Sequence, residues 1–171
     1  IGDLAVGASQ TYACQLERVD ADFVNVATVT GRDALGNQVQ DSDDAVVDVL
    51  PTVELAKLAD PATRPEPGGV FNFTLVVRNT ASEPVTITEL TDTNPLPGAC
   101  RDLIGRSIPV GGARNCQYPV THEAIDIYVN DATVTVIDDE ENPASAAAQA
   151  TVAVYDVPPT ILVEKSANPT E

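Results

Sequence analysis

The sequence predicts an all-β chain of immunoglobulin-like sandwiches repeated in tandem. Three observations predict it: a core vocabulary of small and β-branched side chains, short alternating segments divided by turn clusters, and one phrase written twice. Hydrophobic residues make up 43% of the 171, yet aromatics are only 4%, and Trp and Met are absent. Cores built from Val, Ala, Leu and Ile suit thin two-layer sheets better than helix bundles. Thirteen prolines and ten glycines are scattered through the chain, where they punctuate short elements instead of forming one low-complexity tract.

The repeated phrase is VNVATVTGRDALGN, from Val24, and VNDATVTVIDDEEN, from Val129. Asn25, Ala27, Thr28, Val29 and Thr30 align with Asn130, Ala132, Thr133, Val134 and Thr135 at an offset of 105. AVVDV (45–49) meets ATVAV (150–154) at the same offset, and PTVELAKLADP (51–61) meets PTILVEKSANP (159–169) at 108. In the other direction LAVGASQTYAC (4–14) meets IPVGGARNC (108–116) near 102. An offset that drifts between segments is what variable loops between fixed strands produce. A period this long is a whole small domain, not a solenoid unit.

Three pieces follow: residues 1–50 as the C-terminal half of one repeat, 51–157 as a complete repeat, and 158–171 as the first strand of the next. A chain opening at Ile1 without Met fits a slice from a longer array. Within the complete repeat, TVELAKL (52–58) alternates as a half-buried strand. VFNFTLVVRN (70–79) places Phe71, Phe73, Leu75 and Val77 on one face. VTITEL (85–90), a weaker strand at 103–108, NCQYPVT (115–121), YVNDATVTVI (128–137) and AQATVAVY (148–155) complete the set. The clusters DPATRPEPGG, NTASEP, DTNPLPG, PVGG and DDEENPAS separate them. About seven short strands in such a span, with turns at this spacing, is the immunoglobulin-like signature; a single β-barrel is the alternative, and no helix is expected.

These residues resemble the bacterial surface tandem repeat known as domain of unknown function eleven. The Asn-x-Ala-Thr-Val-Thr strand (Asn25, Asn130), the Lys-x-x-x-Pro opening (Lys57, Pro61; Lys165, Pro169) and the Gly…Asn-Thr strand (Gly69, Asn79, Thr80) carry the resemblance. It spans the chain and implies long arrays in secreted or surface-attached proteins, used as stalks, fibres or adhesins. One departure stands out. The second copy has Val136 and DDEENPAS where the first has Gly31 and Gly36, which leaves the hairpin geometry open there.

Cys100 and Cys116 lie sixteen apart around the PVGG turn. A disulfide between them fits a sandwich loop and an oxidising, extracellular setting; reduced thiols or a metal site are the alternatives. Cys14 occupies the position of Cys116 in the earlier copy, so its partner is expected outside the chain. The one histidine, His122, has no ligand partner at zinc-site spacing. Asn72-Phe73-Thr74 matches the N-glycosylation pattern, on the outward parity of its strand.

Twenty-six acidic against nine basic residues give a net charge of −17. That balance argues against nucleic acid and anionic membrane surfaces as partners, and no run of eighteen apolar residues is present to insert into a membrane. The charge reads as solubility, as a high-salt habitat, or as affinity for divalent cations. The hairpin tips hold the sharpest cation candidates: Asp33, Asn37, Asp41, Asp43 and Asp44 in the first copy, Asp138, Asp139, Glu140, Glu141 and Asn142 in the second. Asp20 and Asp22 lie in a loop expected at the opposite pole of the preceding repeat. No required cofactor is expected; calcium is the candidate ion, although neither tip has EF-hand spacing.

Catalytic residues are not found. There is no Gly-x-Ser-x-Gly elbow, no P-loop, and no histidine pair. The leading expectation is therefore a non-enzymatic structural repeat of an extracellular bacterial stalk or filament. Its partners would be neighbouring repeats or other copies, with short Pro-containing linkers (VLPT, DVPPT) limiting bending. A variant has residues 158–171 donating a strand to a neighbour. A ligand-binding adhesin module and a spacer beside a catalytic partner are the alternatives.

Overall fold

The computed structural model describes residues 2–166. The chain divides at Val49 and Leu50 into two compact units.

The first unit is built on one antiparallel hairpin, β1 (Phe23–Arg32) and β2 (Gln38–Val47), paired from Phe23 with Val47 to Arg32 with Gln38. Residues 2–22 form no strand. Nearly every residue of the hairpin is exposed on both faces. Cys14 is exposed and unpaired among the described residues.

The second unit is a two-sheet β-sandwich. Its strands are β3 (Val53–Asp60), β4 (Thr63–Pro65), β5 (Gly69–Asn79), β6 (Val85–Asp92), β7 (Ser107–Ile108), β8 (Ala113–His122), β9 (Asp126–Ile137) and β10 (Pro143–Tyr155), with a one-turn helix α1 (Gly98–Arg101) after β6. One sheet runs β4-β10-β9-β6-β7 and the other β3-β5-β8. All pairings are antiparallel except β10 with β4.

Alternation makes the core. Phe71, Phe73, Leu75 and Val77 of β5 are all fully buried, as their shared parity requires, and they face Val134 and Val136 of β9 and Val152 and Val154 of β10. Gly68 turns the chain into β5 with φ +83; a Cβ there would lie 2.1 Å from the His122 carbonyl oxygen, so only glycine fits.

Four features depart from the sequence expectation. A helical turn, α1, occupies 98–101, and the strand expected at 103–108 is reduced to Ser107–Ile108. The tract DPATRPEPGG contains β4, a three-residue strand laid parallel against Ala153–Tyr155. Strand β10 starts five residues early, at Pro143, which is tolerated as the first residue of a strand. Residues 158–166 form no strand, having no ladder to join; the rest of that expected strand, 167–171, lies outside the described residues.

Candidate functional site

Strand β3 puts Val53, Leu55, Lys57 and Ala59 on one face by simple alternation. Three of these are apolar and pack on the core; the fourth is a lysine, whose side chain is fully buried. Its ammonium is paired with Asp92 at the end of β6, whose side chain is also fully buried. Lys57 Nζ also donates to Tyr118 Oη at 3.0 Å on β8 and to Asn130 Oδ1 at 2.6 Å on β9. Tyr118 in turn donates to Asp92 Oδ2 at 2.5 Å. Four strands from both sheets thus bring one polar group each to a single point in the core.

Aromatic rings wall the cluster. Nζ lies 5.3 Å from the Phe73 ring centre and 5.7 Å from that of Tyr118, and the two rings stack at 5.7 Å. Burial pushes the Lys57 ammonium below its ordinary value, and Asp92 opposes the shift. The Tyr118 phenol is pushed far up, first by burial and then by its hydrogen bond to Asp92. Asn130 partly opposes that rise from beside the phenol, yet its Nδ2 is buried with no hydrogen bond of acceptable geometry.

A buried ion pair costs several kcal/mol per ion to desolvate, and the Coulomb attraction recovers this only when the remaining hydrogen bonds are satisfied. The Lys57 ammonium has its three donors engaged; the Asn130 amide nitrogen is the unmet group. The arrangement places an amine against a carboxamide, with a carboxylate touching the amine and bulk water excluded.

The disulfide joins Cys100 of α1 to Cys116 of β8, fixing the helical turn to the sandwich. The expected cation residues are placed as follows. In the first unit Asp33 caps the β1–β2 turn: its Oδ1 accepts from Leu35 N at 2.9 Å and Asn37 N at 2.8 Å, and its Oδ2 from Asn37 Nδ2 at 2.7 Å. The Asn37 side-chain hydrogen bond, first among these, lowers the Asp33 pKa. Asp41 and Asp43 stand exposed on β2, Asp20 is exposed, and Asp22 Oδ1 accepts from Val49 N at 2.7 Å. In the second unit Asp138 accepts from Asn142 N at 2.7 Å and Nδ2 at 3.0 Å. Carboxylate oxygens of Glu83, Asp139 and Glu140 lie within 4.8 Å of one another; Glu141 is not among them.

The two hairpin tips are therefore the same turn. Backbone bonds Asp33 N to Asn37 O at 3.0 Å and Asp138 N to Asn142 O at 3.2 Å correspond at the repeat offset. Gly36 at φ 87 is matched by Glu141 at φ 69. Loss of the glycines leaves the geometry unchanged, because the Asp-x-x-x-Asn pair holds the turn. His122 stacks on Tyr128 at 3.7 Å, and its burial lowers its pKa. Asn72 is exposed.

Lys57 and Asn130 entered the sequence reading only as recurring letters. The missed signal was polarity at core parity, a lysine and an asparagine in register with valines and leucines. Compared by sequence with known families and with curated proteins, the chain matches none. Among solved structures, it is similar to the crystal structure of the CARDB domain of the PF1109 protein from Pyrococcus furiosus in complex with di-metal ions. Identity is 17%, coverage 61% of this chain and 89% of that one, and the TM-score 0.44. The solution structure of the same domain gives 14% identity, 63% and 98% coverage, and a TM-score of 0.44. Sheets β4-β10-β9-β6-β7 and β3-β5-β8 establish for themselves that residues 50–155 form a β-sandwich module.

Proposed function

We propose that the chain is a structural, non-catalytic repeat from an extracellular bacterial stalk or filament, whose partners are further repeats of its own kind. One observation carries this reading: the same hairpin occurs twice, once covered and once bare. In the sandwich, Ala132, Val134 and Val136 of β9 are buried beneath β3-β5-β8. Their equivalents Ala27 and Val29 on β1 are exposed, Val29 at 54% against 0% for Val134. An apolar face of that kind is normally covered, and the sandwich supplies the pattern of its cover, a three-stranded sheet of another repeat. The disulfide supports an oxidising location. Calcium is a stiffener in this reading, supported by the converging carboxylates of Glu83, Asp139 and Glu140.

Limited proteolysis mapped by mass, run with calcium and with EDTA, tests the role. Cleavage at Arg18 and Arg32 should precede any cut within 50–155, and calcium should raise the melting temperature. Equal resistance of residues 2–49 and 50–155 overturns the bare-hairpin reading. Identical melting with calcium and EDTA removes the ion from it.

A further inference from the structure

We infer that Lys57 and Asn130 join covalently, forming an intramolecular amide between the two sheets, with Asp92 as the proton carrier. Three observations meet at this point. The Lys57 amine donates to Asn130 Oδ1 at 2.6 Å, one bond from the carbon it would attack. Asp92 is hydrogen-bonded to that amine and held by the Tyr118 hydroxyl. The Asn130 nitrogen that would depart is buried and without a hydrogen bond, so nothing retains it.

The chemistry balances without a co-reactant. Lys57 Nζ passes one proton to Asp92, leaving a neutral amine whose lone pair attacks Asn130 Cγ. The Nζ–Cγ bond forms and the Cγ–Nδ2 bond breaks. Asp92 gives its proton to Nδ2 and takes a second from Nζ. Nitrogen leaves as neutral ammonia and the second proton stays on Asp92, which ends as an uncharged carboxylic acid beside the new amide. Burial among Phe73, Tyr118 and the core valines favours the uncharged amine, as it disfavours any isolated charge, and it holds the reacting groups in one geometry.

The product also resolves the two unfavourable features of the site. A desolvated ammonium becomes a neutral amide, and the unmet Nδ2 is gone. The new amide N–H has Asp92 beside it as an acceptor. The reaction needs nothing of the array proposed above, since one sandwich contains every atom of it. Nucleophile and electrophile letters both recur in the repeat, Lys57 with Lys165 and Asn25 with Asn130.

Intact mass of the folded, reduced and alkylated chain decides. The expected value lies one ammonia, about 17 Da, below the mass of the sequence with its three cysteines alkylated, and trypsin should release the Lys57 and Asn130 peptides as one branched species. Lys57→Ala, Asn130→Ala and Asp92→Ala should each show the full mass. Because these variants lose a core group and can fail to fold, the wild-type chain is the deciding sample, with its fold checked by circular dichroism. Full sequence mass in the folded wild type overturns the inference. So does loss of ammonia with Lys57 still cleavable by trypsin, the mark of a cyclised asparagine. Ammonia lost from Asp92→Ala at the wild-type rate removes Asp92 from the reaction.

Discussion

Asn79 shows how much one buried polar side chain can organise. It is fully buried at the end of β5; its Nδ2 donates to Glu83 O at 2.7 Å and Ile108 O at 3.0 Å, and its Oδ1 accepts from Ala81 N at 2.8 Å. It thus ties the β5–β6 loop to β7. Asn79→Ala should lower stability by roughly 2–4 kcal/mol, because it removes three hydrogen bonds and leaves buried backbone groups unmet; urea unfolding followed by circular dichroism measures it. Residues of this kind are only partly legible in a sequence. Lys57 and Asn130 sit on inward parity in regular strands, so their burial could have been read from their neighbours. Asp92 could not. Strand β6 carries a register shift between Ile87 and Glu89, and inward positions change from Val85 and Ile87 to Leu90 and Asp92. A bulge reverses parity without leaving a mark in the letters.

Elements longer than about five residues were legible from alternation, and β5, β8 and β9 lie within two residues of their expected bounds. Short ones were not. Helix α1 has four residues and β4 three, too few to display a period, and each is held by tertiary contacts: the disulfide for one, the β10 edge for the other. The hairpin tips teach a further point about what specifies a turn. Glycine at the left-handed position is helpful but dispensable, since Glu141 occupies it at φ 69. The side-chain pair Asp138 and Asn142 sets the turn instead. Asp138→Ala should therefore cost about 1–2 kcal/mol, whereas Glu141→Gly should leave stability within about 1 kcal/mol of wild type. Thermal melts of the two variants side by side give the comparison; a larger loss at 141 than at 138 would reverse the assignment.

Across the whole molecule, a net charge of −17 makes carboxylate repulsion a general opposing force. Raising ionic strength from about 0.01 M to about 0.15 M shortens the screening length from about 30 Å to about 8 Å. The melting temperature should rise over that range, and a flat response would show the acidic groups to be too dispersed or too well paired to matter. The recurrence of the hairpin was legible at this scale because its strand letters repeat at a fixed offset, from Asn25 to Asn130 and from Asp33 to Asp138. The chemistry at the centre was not, because it depends on which four strands converge. Convergence also decides how such a body answers a pull. Lys57 lies in the first strand of the sandwich and Asn130 in the next to last, 73 positions apart. A bond between them would route tension straight across, and the intervening chain, about 200 Å if drawn out fully with the Cys100–Cys116 bridge intact, would never pay out as slack. The sandwich would then behave as a fixed length instead of a spring.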